Sequence, residues 1–264
     1  MAAKAIITLT TDFGLKDNYV GVMKGVILGL NPEARLVDLG HELPPHDAFQ
    51  AAFFIYSAHA YFPAGAIHLV VVDPGVGSER AILAIKTGGQ IFIAPDNGLV
   101  SYILDVRPDF VARRIENQDL MLPAISRTFH GRDIMAPAAA HLSNGVALEA
   151  VGPETKDIVR LPTLKPELKP DLIQGRVIYV DRFGNLITNI PVSEVEARAG
   201  GGLVIQAGPV RLNALAPNYQ TAAPGEYLAV GGSSGFLEIA RNQKPAHRPP
   251  ELTLGTPVLV RRHD

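Results

Sequence analysis

Up to about Gly152 this chain alternates short apolar runs with stretches of helical period, and then it stops doing so. Ala5–Leu9 reads as a strand. Tyr19, Met23, Val26, Ile27 and Leu30 recur at helical spacing, and Asn31-Pro32 ends that helix. Arg35–Leu39 is a second strand. Asp47 caps a helix running to about Tyr61. Ala66–Val72 is a third strand, and Ala81–Thr87 and Gln90–Ala94 form a hairpin across Gly88-Gly89. Leu99–Asp105 is a short helix, Phe110–Ile115 an edge strand, and Ile134–Leu142 a helix of small residues. Such alternation predicts an α/β domain whose mostly parallel sheet is covered by helices. Gly21, Gly25 and Gly29 share one helix face, which predicts close packing of that face on the sheet.

The break is compositional. Pro153, Pro162, Pro166 and Pro170 fall in one charged stretch, the signature of a linker. Beyond it come short strand-like runs with Gly and Asn turns, and Ser193–Arg198 as a helical interruption. The expected organisation is an N-terminal α/β domain over 1–152, a Pro-rich linker over 153–172, and a smaller all-β domain, barrel or sandwich, over 173–264.

With 47% hydrophobic and 19% charged residues in 264, the chain can bury a sizeable core. A net charge of -2 and the lack of a Lys/Arg stripe speak against nucleic acid as a partner. No apolar run is long enough to span a bilayer, so no membrane partner is expected. Met1–Lys4 lead straight into the first strand without the order of a signal peptide, and a cytoplasmic protein is the expectation. Cysteine is absent, so thiolate chemistry is excluded.

Chemistry-bearing residues gather at the ends of predicted strands. Asp12 follows the first strand. Asp73 follows the third, on a Pro74-Gly75-Val76-Gly77 loop that returns as Arg80. In open α/β sheets ligands sit outside the carboxyl ends of the strands, so this loop reads as a site. His130 and Asp133 precede the last helix of the domain. Asp96-Asn97-Gly98 fits an Asx turn. In the second domain Asp181, Asn185, Ser233, Ser234 and Glu238 surround glycines. No Gly-x-Gly-x-x-Gly opens the first helix and no Gly-Lys-Ser/Thr loop exists, so a nucleotide phosphate site is unsupported. Several Asp with His130 could hold Mg²⁺ or Mn²⁺, but no ligand spacing backs a metal.

Six motifs then occur in order: Thr10-Thr-Asp-Phe-Gly14, Val72-Asp-Pro-Gly-Val-Gly77 with Arg80, Ala94-Pro-Asp-Asn-Gly98, Phe129-His-Gly-Arg-Asp133, Asp181-Arg-Phe-Gly-Asn185 and Gly232-Ser-Ser-Gly-Phe-Leu-Glu238. From about Ile6 to Val260 the chain resembles the S-adenosylmethionine hydroxide adenosyltransferases, the SAM hydrolases related to fluorinase and chlorinase. The resemblance implies an N-terminal α/β domain and a C-terminal β-barrel. It implies cleavage of S-adenosyl-L-methionine by water to adenosine and L-methionine, without a cofactor. It also implies a homotrimer whose active sites lie at subunit interfaces. By the matched motifs, Asp73, Arg80 and His130 would position the attacking water and Asp12 would hold the ribose hydroxyls. Asp181 would bind the methionine amino group, with Phe183 and Asn185 near the substrate and Ser233, Ser234 and Glu238 around its methionine end and adenine. The halide-using relatives carry other residues at the Asp73, Arg80 and His130 positions and an extra loop that this sequence lacks.

The residues suit that chemistry. The sulfonium leaves as a neutral thioether, so no general acid is needed. An ionised Asp73 and a neutral His130 can both accept hydrogen bonds from water, while Arg80 can only donate. Which of them takes the water's proton stays open at this point. A non-catalytic S-adenosylmethionine or adenosine binding protein is one alternative. A metal-dependent phosphoesterase using Asp12, Asp73, Asp96 and His130 is the other.

Overall fold

The computed structural model describes residues 5–199 and 202–262; Met1–Lys4 lie outside them. The chain forms two compact units, Met1–Thr163 and Leu164–Asp264.

The first unit is built on a sheet of β1 (Ile6–Thr11), β2 (Arg35–Gly40), β3 (Ile67–Val71), β4 (Ile82–Thr87), β5 (Gln90–Pro95), β6 (Phe110–Arg114) and β7 (Glu154–Thr155). Their spatial order is β2-β1-β3-β5-β4-β6-β7. The first four in that order run parallel to one another. The β4–β5 hairpin then turns the sheet antiparallel, and β6 and β7 continue so. The expected parallel sheet is thus present as a four-strand core with an antiparallel flank.

β3 is buried on both faces because both are covered. Ile67, Leu69 and Val71 pack with Ile7, Leu9, Met23 and Met135 on one side. That side is covered by α1 (Tyr19–Leu30) and by the last helix of the unit, Ala136–Ser143. Val70 and Val72 point the other way, into a cluster with Ile55, Phe92 and Ile103. Ile55 and Ile103 come from α2 (Ala48–His59) and α3 (Ser101–Val106) and Phe92 from the neighbouring β5, so Ala136–Ser143 is α4. Asp47 caps α2 by accepting from Gln50 N–H at 2.9 Å.

One packing expectation is overturned. Gly21, Gly25 and Gly29 do not face the sheet: all three are exposed, and a β-carbon at any of them would have nothing within 4 Å. Val20, Met23 and Ile27 take the buried face of α1 instead, because the larger apolar side chains remove more area from water there.

Register sets the site. Thr11 of β1 is paired with Val71 of β3, so the two strands end side by side. Asp12 and Asp73 therefore leave adjacent strands at the same carboxyl edge, the place where α/β sheets bind ligands.

The second unit holds β8 (Glu167–Lys169), β9 (Leu172–Val180), β10 (Leu186–Pro191), α5 (Val192–Glu196), β11 (Leu203–Ala207), β12 (Val210–Leu212), β13 (Leu215–Ala216), β14 (Tyr227–Gly231), β15 (Phe236–Arg241) and β16 (Pro257–Arg262). In the order β12-β11-β16-β9-β10-β15-β14-β13 they curl into a nearly closed, barrel-like sheet. Its interior is apolar, with Ile173, Leu186, Ile205, Leu237, Ile239 and Val260 fully or almost fully buried. Among the described residues no helix is long and apolar enough to cross a membrane.

Candidate active site

The turn after β3 is held by its own backbone. Val76 N–H donates to the Asp73 carbonyl and Ser78 N–H to that of Gly75, while Ser78 Oγ donates to Gly75 as well. This folds the chain back and lays the Arg80 side chain over Asp73. Arg80 Nε stands 2.9 and 3.0 Å from the two Asp73 carboxylate oxygens, and Nη2 also donates to Oδ2. The Arg80 and Asp73 side chains are 11% and 6% exposed, so the pair is largely shielded from water. Asn97 supports it from the turn after β5 by donating its amide to the carbonyl of Val72 at 2.9 Å.

Arg80 also reaches His130. Its Nη2 lies 3.0 Å from His130 Nδ1. His130 immediately precedes a π-helical turn, Gly131–Met135, that runs into α4. Such turns insert an extra residue and recur at functional sites. Gly131 lets this turn approach β3: a β-carbon there would stand 3.1 Å from Val71 Cγ1 and 3.4 Å from Met23 Sδ. Burial holds the pKa of His130 below that of an ordinary imidazole, and the Arg80 charge adds to this. Asp73 and Asp133 act in the opposite sense without reversing it.

Asp133 is fully buried and clamps the segment leading to His130. It accepts from Ser126 N–H at 2.8 Å and from Arg132 Nε and Nη2 at 2.5 and 3.0 Å. Burial alone would raise its pKa; the bonds from Arg132 and Ser126 outweigh that and hold it below the usual carboxylate range. Ser126 Oγ in turn accepts from Phe129 N–H.

Asp12 sits on the neighbouring strand end. Its Oδ2 accepts from the backbone N–H of His46 at 2.8 Å. His46 adopts φ +66°, an uncommon conformation outside glycine, to present that N–H. Asp12, Asp73 and His130 line one open cleft of about 300 Å³. Phe13, Val71, Val76 and Phe129 supply its apolar surface, and Pro45, His46, Thr128 and Gly131 complete it. Phe13, Phe129 and Tyr19 lean on one another, with ring centroids 5.3–5.8 Å apart, which braces that surface. A concave, mostly apolar pocket with a few convergent polar groups is the form of a small-molecule site.

Asp96 does not join this group. Its Oδ1 accepts from Val159 N–H at 2.8 Å, and it is no part of the cleft lining. Among the described residues no set of three His, Cys, Asp or Glu side chains is gathered as a metal would require. The phosphoesterase reading needed Asp96 beside Asp12, Asp73 and His130 and has no such geometry.

In the second unit, Asp181 closes its own turn. Oδ1 accepts from Phe183 N–H at 2.9 Å and Asn185 N–H at 2.8 Å, and Oδ2 from the Asn185 amide at 2.9 Å. The turn thrusts Phe183 into solvent, 77% exposed. Ser233 and Ser234 stand on the turn between β14 and β15. Glu238 is only 5% exposed and accepts from the Tyr219 hydroxyl at 2.7 Å. Burial raises the Glu238 pKa, Asp181 raises it further, and the Tyr219 bond opposes both.

Residues 7–152 match the family model for the SAM hydroxide adenosyltransferase N-terminal domain, and residues 175–259 match the model for its C-terminal domain. The chain belongs to the SAM hydroxide adenosyltransferase family. It is 38% identical over 257 residues to the (R)-S-adenosyl-L-methionine hydrolase of Thermus thermophilus, covering 94% of this chain and 96% of the relative. It is 37% identical over 248 residues to the enzyme of the same name from Salinispora tropica, covering 92% of each. The crystal structure of an uncharacterized conserved protein from Thermotoga maritima superposes with a TM-score of 0.90 at 37% identity, covering 97% of this chain and all of that one.

Within this SAM hydroxide adenosyltransferase, the structure brings Asp12, Asp73, Arg80 and His130 together in the first unit. Asp181 and Asn185 meet directly in the second. The layer that supports these side chains has no local signature in the sequence. His46 acts through its backbone, which no side-chain pattern reveals. Asn97 stands in a turn, as its Asp-Asn-Gly setting predicts, and its amide also braces Val72, which that setting does not reveal. Tyr219 reaches Glu238 across 19 positions, and nothing local to Tyr219 signals that bond.

Proposed function

We propose that this protein hydrolyses S-adenosyl-L-methionine, with water attacking ribose C5′ to give adenosine and L-methionine. The observation that carries this reading is the Asp73–Arg80–His130 constellation, its ion pair largely buried and its histidine half-buried, on a cleft that also presents Asp12. The family membership and the names of the relatives support it. Those names specify the (R)-sulfonium epimer, and we extend that preference to this protein.

The chemistry asks little beyond positioning. An oxygen lone pair of water forms the bond to C5′, the C5′–S electron pair departs with methionine as a neutral thioether, and one proton is released. Holding the nucleophile in line can supply ~7–11 kcal/mol of the barrier. Arg80, with three contacts to Asp73, fixes that carboxylate in one orientation toward the cleft. Asp12, with its Oδ2 bound to His46 N–H, is suited to accept from the vicinal ribose hydroxyls, as an acidic residue does for a dinucleotide ribose. Phe13 and Phe129 offer apolar area beside it. Asp181, Phe183, Asn185, Ser233, Ser234 and Glu238 are proposed to hold the methionine end and the adenine. In this reading the second unit of a neighbouring subunit contributes them, the protein is a cytoplasmic homotrimer, and no cofactor takes part.

Incubation with each sulfonium epimer separately, followed by chromatography, tests the proposal. Equimolar adenosine and methionine from the (R) form is the expected result. The absence of turnover at every pH between about 5 and 9 would sink the hydrolase reading.

A further inference from the structure

The contact between Arg80 and His130 settles more than a distance. A guanidinium has only N–H groups to offer and keeps them all at any pH a folded protein meets. The atom 3.0 Å from Arg80 Nη2 is His130 Nδ1, so Nδ1 is the acceptor. An imidazole that accepts at Nδ1 is neutral and carries its proton on Nε2. A second proton on Nδ1 would set an N–H against an N–H. Arg80 cannot easily turn aside to relieve this, because its Nε and Nη2 are both engaged on Asp73. The charged groups around the ring are Arg80, Asp73 and Asp133, and their balance, with burial, leaves the neutral ring favoured.

We infer that His130 is a neutral, Nε2-protonated positioning residue that holds Arg80, and through it Asp73, and is not the base that takes the proton of the attacking water. The role in turnover rests on the hydrolase reading above; the tautomer does not. Nδ1 is occupied and Nε2 bears a hydrogen, so the ring has no lone pair to give. Asp73 is then the acceptor on the cleft. A carboxylate has about four lone-pair directions, and three contacts from Arg80 leave one for water. As the C5′–O bond forms and the C5′–S pair leaves with methionine, the water's proton passes to Asp73 and from there to solvent. His130 loses and gains no proton in the cycle.

Two measurements on the full chain test this. The first is ¹⁵N NMR of histidine-labelled protein, with His130 assigned by the signals missing from His130→Asn. A pyridine-type Nδ1 and a pyrrole-type Nε2 are expected, and a protonated Nδ1 would overturn the inference. The second compares His130→Asn, whose amide oxygen can replace Nδ1 as Arg80's acceptor, with His130→Ala, which cannot. The Ala variant is expected to lose about a hundredfold in kcat with KM little changed, and the Asn variant to recover at least about tenfold of that loss. An Asn variant as slow as Ala, with the fold intact by circular dichroism, would overturn the inference too. Failure of the hydrolase reading would look different: wild-type protein would release no adenosine while the tautomer stayed readable.

Discussion

A β-carbon on Gly77 would run into the carbonyl oxygen of Arg127. Gly77 lies at φ +81° on the turn that returns Arg80 to Asp73, and Arg127 opens the segment that ends at His130. Their contact is where the two halves of the constellation dock. Gly77→Ala meets the left-handed backbone cost of about 1–2 kcal/mol and a clash with main chain, which cannot rotate away. The expected outcome is a thermal midpoint lower by several degrees and turnover reduced at least about tenfold. Gly21→Ala is the control: a β-carbon there meets nothing, and the helix gains up to about 1 kcal/mol. Wild-type rate and midpoint in Gly77→Ala would show that the loops tolerate separation.

Asp73→Asn preserves shape and removes the charge opposite Arg80. If Asp73 accepts the water's proton, kcat should fall by about 10²–10⁴. Adenosine affinity, measured by calorimetry, should stay within about tenfold, because Asp12 rather than Asp73 addresses the ribose in our proposal. Equal losses in binding and rate would place Asp73 on the substrate instead of the water.

Much of this site was legible because strand ends and glycines are local signals. The apolar run predicts a third strand over Ala66–Val72, and the strand forms over Ile67–Val71; the β4–β5 hairpin turns at Gly88-Gly89, as the glycine pair predicts. Asp73 and Arg80 could be singled out from the glycines between them. What the chain did not disclose depends on side-chain direction and distant register. Helical spacing cannot say which face of α1 turns inward, and the glycine face proved to be the outer one. Nor could spacing show that Glu154–Thr155, inside the proline-rich stretch, pairs with β6. The Thr11–Val71 pairing, which sets Asp12 beside Asp73, spans 60 positions and is decided by the packing of the whole sheet.

Tyr219→Phe tests whether Glu238 serves the substrate or the barrel. The hydroxyl is 2.7 Å from Glu238 Oε1, in a setting where the carboxylate is nearly buried. Removing the donor leaves a buried acceptor short of a partner, a cost of about 1–3 kcal/mol. It also removes the bond that opposes the burial-driven rise in the Glu238 pKa. With Glu238 on the substrate, KM should rise by about threefold to tenfold with kcat near wild type. A lower thermal midpoint with unchanged KM would assign the pair to barrel stability alone.

His68 should make the first unit sensitive to acid. It is fully buried on β3, opposite Thr8 of β1 and Phe92 of β5. Its Nδ1 is 2.8 Å from Thr8 Oγ1, and its ring stacks on Phe92 at 4.8 Å. Burial, with a smaller push from His59, lowers its pKa from 6.5 to about 4. A histidine that is harder to protonate folded than unfolded contributes its full stability above the unfolded pKa. That contribution declines as pH falls from about 6.5 and is gone below about 4, an upper bound of about 3 kcal/mol for this group. Thermal midpoints recorded from pH 7 down to about 4 should therefore drop less steeply in His68→Gln than in wild type, even though the variant starts lower at pH 7. Parallel slopes in the two proteins would mean that other groups, and not this ring, carry the acid response.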